Sequence, residues 1–118
     1  MGASPTPRIA EAKPRCVAVA FSGGIDSTAL LLATVGQAAA LSLRVVALHV
    51  HHGLQPEADA WVRQAEVVCR RLGVGLCVQR LQGRPAKGDS VEAWARRGRY
   101  AALAALAKAE GASLILLA

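Results

Sequence analysis

The chain has 118 residues, and its 14 Lys and Arg against 8 Asp and Glu give a formal net charge of +6. Hydrophobic residues make up 53% and charged residues 19%, which excludes a disordered chain and predicts one globular domain. The aromatics are only Phe21, Trp61, Trp94 and Tyr100, too few for a base-stacking nucleic-acid platform, so Ala, Val and Leu must fill the core.

Residues 1–14 read as a flexible leader, polar and carrying Pro5, Pro7 and Pro14, with no apolar core of the kind a signal peptide needs. The apolar run Cys16 to Phe21 predicts a buried first strand, closed by the Ser22-Gly23-Gly24 turn. Ser27 to about Leu41 predicts a helix; this uncharged stretch holds Thr28, Thr34, Gly36 and Gln37 and suits a buried helix rather than a membrane span. A second apolar strand spans Arg44 to Val50. The next helix starts near Pro56 and sets Trp61, Ala65, Val68 and Leu72 on one face until Gly73 ends it. A third strand covers Val74 to Leu81. A long helix follows, capped by Asp89 or Ser90, with Glu92 as a capping-box partner of Asp89, and it ends at Gly111. Ser113 to Leu117 opens a fourth strand.

Apolar strands alternating with helices predict an α/β fold, a doubly wound parallel sheet over residues 15–118 covered on both faces. In such a sheet the ligand groups lie in the loops after the carboxyl ends of the strands. Cys16, Cys69 and Cys77 are odd in number and form no CxxC pair, which favours a reducing compartment, and the chain is expected to be cytoplasmic and free of the membrane.

The loop Ser22-Gly23-Gly24-Ile25-Asp26-Ser27 joins the first strand to the first helix. Paired glycines let the backbone approach a ligand closely, the helix N-terminus favours an anion, and Ser22 and Ser27 add hydroxyls. Asp26 is acidic in an anion site, which suits a carboxylate facing Mg2+ or orienting the loop. The lysine and spacing of a Walker A loop are absent. A plain tight turn, with Asp26 as a helix cap, is the alternative.

The word SGGxDS resembles the signature loop of the PP-loop, or N-type, ATP pyrophosphatases, which cleave ATP between the α and β phosphates. The resemblance implies pyrophosphate binding by Ser22, Gly23, Gly24, Ile25, Asp26 and Ser27, with Asp26 catalytic and near Mg2+. Two more segments narrow the likeness. His49-Val50-His51-His52-Gly53-Leu54, followed by Ala58-Asp59-Ala60-Trp61, and Glu92-Ala93-Trp94-Ala95-Arg96-Arg97-Gly98-Arg99-Tyr100 are similar to motifs of tRNA(Ile)-lysidine synthetases. That resemblance implies ATP, L-lysine and tRNA(Ile) as substrates: the wobble cytidine is adenylated, and the lysine ε-amine then displaces AMP. It also implies a further HxxDD-type loop just beyond Ala118, so the chain is expected to be an N-terminal fragment with at most weak nucleotide binding and little or no ligase activity alone. Another PP-loop enzyme, such as a tRNA thiolase or an amidating synthetase, and a non-catalytic nucleotide-binding module remain alternatives.

His49, His51 and His52 lack a nearby Cys or fixed carboxylate partner and make a poor zinc set. The backbone of His49 and Val50 is instead expected beside the adenine. Arg96 and Arg99 share a helix face; either guanidinium suits a phosphate clamp, against the plainer reading of a solvated ion pair with Glu92. Trp61 and Trp94 are expected to be packing residues. The charge is lopsided: residues 1–60 balance four basic against four acidic groups, while 61–118 carry ten basic against four acidic. That half favours an anionic partner such as RNA or nucleotide phosphate.

Overall fold

Four strands and three helices alternate along the chain in a computed structural model that describes residues 15–118. They are β1 (Arg15–Ala20), α1 (Ile25–Leu41), β2 (Leu43–His51), α2 (Ala58–Leu72), β3 (Gly75–Arg80), α3 (Val91–Ala109) and β4 (Ala112–Leu116). The leader expected over 1–14 lies outside the described residues.

The strands form one parallel sheet in the order β3-β2-β1-β4. In register, Ala20 stands beside Leu48, Val19 beside Leu116 and His51 beside Arg80. Right-handed crossovers decide where the helices go. The chain steps outward from β1 to β2 to β3, so α1 and α2 lie on one face; it then returns past β1 to β4, so α3 lies on the other.

Alternation along β1 and β2 fills two separate cores. Cys16, Ala18, Ala20, Val46 and Leu48 pack against Leu103 and Ala107 of α3. Val19, Phe21 and Ala47 pack against Leu31 of α1 and Ala65 and Cys69 of α2. The doubly wound sheet expected from the sequence is therefore present, with one correction. Among the described residues only β1 and β2 are buried on both faces and β3 and β4 are edges; Val78 and Leu114 are 39% and 52% exposed. A second correction concerns the cap of α3. Ser90 is the N-cap and its hydroxyl accepts from the Ala93 N–H at 3.2 Å, so Asp89 and Glu92 form no capping box.

The chain leaves β1 toward β2 on one side while β4 lies on the other. This reversal opens a crevice at the carboxyl end of β1, where a doubly wound sheet takes its ligand.

Candidate functional site

Phe21 donates its N–H to the Leu48 carbonyl at 2.8 Å, which ties the last residue before the loop to β2. The chain then turns sharply, and Gly23 takes a φ of +93°, a conformation that a side chain at this position would strain. Gly24 is the N-cap of α1 and supplies no side-chain cap. Asp26 forms no cap bond either, so it stands free in the first turn, exposed and with no hydrogen-bond partner among the described residues.

Ser27 organises this loop. It is 5% exposed, and its Oγ accepts the backbone N–H groups of Ser22 and Gly23, each at 3.2 Å. The Ser22 and Ser27 hydroxyls lie 3.0 Å apart, and Ser22 Oγ accepts the Gly24 N–H at 3.3 Å. Successive N–H groups thus converge on oxygen atoms in a concave backbone nest, at the positive end of a 17-residue helix. A phosphoryl oxygen offers the same acceptor chemistry with a full charge. The cleft beside the nest is lined by Ser22, Gly24, Ile25, Asp26, Ser27 and Arg99.

A second cavity, of about 190 Å3, adjoins it across the carboxyl ends of β1 and β2. Ala20, Phe21, Leu48 and Leu103 make it largely apolar, while His49, Val50, His52 and Trp61 close its far side. Ser22 and Arg99 line both spaces. A largely apolar recess continuous with an anion nest suits a nucleoside joined to a phosphate chain.

Arg96 lines neither space. Both guanidiniums flank the Tyr100 ring, Arg96 at 5.7 Å and Arg99 at 5.9 Å from its centroid, and Glu92 forms no ion pair with Arg96. The structure therefore brings together Ser22, Gly24, Ile25, Asp26, Ser27, His49, Val50 and Arg99, with Gly23 shaping the loop, and leaves Arg96 outside the cleft.

The three histidines have separate surroundings. His49 is buried, and its Nδ1 lies 2.8 Å from the Phe21 carbonyl oxygen. His51, also buried, meets Asp59 Oδ1 through Nε2 at 2.8 Å, and Arg80 braces the same carboxylate oxygen at 3.0 Å. The hydrogen bond from His51, then that from Arg80, holds the Asp59 carboxyl below its ordinary value of 3.8. His52, half-buried past the end of β2, packs edge-on to Trp61 at 5.8 Å between ring centroids. Burial, and then the neighbouring His51 and His49, lower its pKa below the usual 6.5. Among the described residues no three His, Cys, Asp or Glu side chains converge to hold a metal ion. Asp26 is a single carboxylate beside the Ser22–Ser27 loop, and Mg2+ is commonly held by one or two carboxylates together with substrate phosphates.

Sequence reasoning missed His52, Trp61, Phe21 and Leu103 as lining residues and missed the tie between His51, Asp59 and Arg80. Those side chains come from five separate segments, and only the register of β2 beside β3 sets Arg80 against His51.

A crevice of this kind on a doubly wound sheet, closed by a Gly-Gly loop at the first strand–helix junction, defines a class of phosphate-binding α/β domains. The chain belongs to the PP-loop family, whose domain matches residues 5–118. It is similar to the tRNA(Ile)-lysidine synthase of Polaromonas naphthalenivorans (strain CJ2), with 50% identity over 99 residues, covering 84% of this chain and 29% of that protein. The tRNA(Ile)-lysidine synthase of Pseudomonas aeruginosa is 52% identical over 89 residues, 74% of this chain and 20% of that one. The chain thus spans less than a third of the length of these relatives. Among solved structures, the U34-tRNA thiolase NcsA from Methanococcus maripaludis with its [4Fe-4S] cluster superposes with a TM-score of 0.78 at 15% identity, over 93% of this chain and 40% of that one. That likeness is one of fold.

Proposed function

We propose that this chain is the ATP-binding unit of a cytoplasmic ligase that joins L-lysine to the wobble cytidine of tRNA(Ile). The observation that carries the reading is the backbone nest of Ser22, Gly23 and Gly24, organised by Ser27 and opening through Ser22 and Arg99 into a nucleoside-sized cavity. The identities of about half to tRNA(Ile)-lysidine synthases of two bacteria support the choice of reaction.

In this reading the cytidine O2 attacks the α-phosphorus of ATP, the bond to the β-phosphate bridging oxygen breaks, and pyrophosphate leaves. The lysine ε-amine then attacks C2 of the adenylated cytidine, loses a proton, and AMP departs. The uncapped N–H groups in the first turn of α1, beside the loop that Ser27 organises, would hold the departing pyrophosphate, and the helix already orients them. Arg99, which lines both cavity and cleft, would clamp the α-phosphate between them. Asp26 would hold Mg2+, whose charge, when the ion is bound, neutralises the phosphates.

The test is ATP–pyrophosphate exchange and transfer of labelled lysine to tRNA(Ile), run on the natural protein that carries these residues and on its Asp26→Ala form. We expect lysine transfer to tRNA(Ile) and its collapse by about a hundredfold or more in the variant, the scale of losing a preorganised transition-state contact. Incorporation of sulfur in place of lysine would select the tRNA thiolase reading. ATP binding with no exchange would select a non-catalytic module.

A further inference from the structure

His49 and His52 both line the nucleoside cavity, and each has one ring nitrogen engaged by a partner that can act in only one way. The Phe21 carbonyl can only accept, so His49 carries its hydrogen on Nδ1, donated over 2.8 Å. In the neutral ring this leaves a lone pair on Nε2. That atom has no protein partner among the described residues, and His49 lines the cavity. His52 is the mirror case. The Leu54 backbone N–H can only donate, over 3.1 Å to Nδ1, so the neutral His52 ring carries its hydrogen on Nε2. Burial and two neighbouring imidazoles favour the neutral form. The edge-on packing of Trp61 against the ring then fixes its orientation.

We propose that His49 and His52 are the base-reading pair of the cavity, His49 Nε2 accepting from an exocyclic amine and His52 Nε2–H donating to the adjacent ring nitrogen, which selects adenine over guanine. Adenine presents that donor-and-acceptor pair on both of its polar edges, N6 with N1 and N6 with N7. Guanine sets O6, an acceptor, against the lone pair of His49 and leaves two buried acceptors facing each other, which costs more than a missing contact. Cytosine carries an amine beside a ring nitrogen as well. The continuity of the cavity with the phosphate nest through Ser22 and Arg99 assigns the position to the base of the triphosphate. The inference rests on the nucleotide reading of this cavity, and it adds a source of selectivity in two side chains beyond the backbone of β2.

Two measurements test it. Long-range 15N–1H spectra of the histidine-labelled 118-residue chain at pH 7.5, without ligand, should show His49 protonated on Nδ1 and His52 on Nε2. The same tautomer for both would overturn the pair. Equilibrium binding of ATP, GTP and ITP is then compared for the natural protein that carries these residues and for its His49→Asn and His52→Asn forms. Asparagine can keep the local bond in each case, an amide N–H toward Phe21 or a carbonyl toward Leu54, while it removes the reading atom. ATP should bind about ten- to a hundredfold more tightly than GTP and ITP, the scale of one good base contact. Each variant should lose about tenfold for ATP with little change for GTP. ATP and GTP bound equally by the unmodified protein, or equal losses for every nucleotide, would each overturn the base reading alone. No binding of any triphosphate would overturn the nucleotide reading with it.

Discussion

Arg96 and Arg99 lie one turn apart on α3, and reach separates them. Arg99 lines both the nucleoside cavity and the phosphate cleft, whereas Arg96 is exposed beside the Tyr100 ring and lines neither. Arg99→Ala is expected to weaken ATP binding about ten- to a hundredfold, the size of a lost charged hydrogen bond, as read by isothermal titration. Arg96→Ala should leave ATP binding within about twofold and weaken tRNA binding instead, since its solvated guanidinium suits a backbone phosphate. His52 gives a second prediction, in pH. Its folded pKa lies below 6.5, so on acidification the unfolded chain takes up the proton first. The stability it contributes is complete above 6.5 and is lost as pH falls toward the folded value. The urea midpoint should therefore drop between pH 7.5 and 5.5, and drop less in His52→Asn. Asp59, held by His51 on β2 and Arg80 on β3, contributes in a separate window. Its pKa is lowered from 3.8, so that part persists to more acid pH.

At the scale of elements, α1 and α3 are fastened in different ways. The N-terminus of α1 has a glycine N-cap and no side-chain cap, which leaves its first N–H groups to a ligand, while α3 is closed by Ser90. Ser90→Ala should cost about 1 kcal/mol in chemical denaturation, the worth of an N-cap hydroxyl. Leu31→Ala should cost about 2–5 kcal/mol, because Leu31 is fully buried between α1 and the sheet and the neighbouring strands cannot collapse into the space. Under the proposed function, restoring a cap on α1 would compete with the anion bound at its N-terminus. The elements themselves were legible from local pattern. Period and breakers placed all seven within one or two residues, because apolar runs and glycine stops act locally. The capping box failed because Ser90, one residue on from Asp89, is the residue in extended backbone just before the helical turn, with φ −69° and ψ 128°.

Over the whole molecule, charge and sheet order combine. Ten of the fourteen basic residues lie in 61–118, among them Arg96, Arg97 and Arg99 on α3, the helix that among the described residues alone covers its face of the sheet. That face and the nucleotide cleft meet at Arg99. Binding of tRNA should accordingly weaken by about tenfold or more when salt rises from 50 to 200 mM, by release of counterions from the phosphates. A fluorescence titration at the two salt concentrations reads this directly, and ATP binding, resting largely on oriented N–H groups, should change less. Among the described residues no helix is long and apolar enough to cross a membrane.

The sequence by itself determined the α/β class, the order of elements and the phosphate loop, since Gly-Gly between an apolar strand and an alanine-rich helix is a local arrangement of the chain. It also marked His49 and Arg99 as candidates, without saying what they face. Only the tertiary structure decided that α3 lies opposite α1 and α2, that Arg99 reaches the cleft and Arg96 does not, and that Nδ1 meets a carbonyl oxygen in His49 but a backbone N–H in His52. The reason is physical. A tautomer is set by the partner of the other nitrogen, and for His49 that partner is Phe21, 28 positions away and brought near by the pairing of β1 with β2.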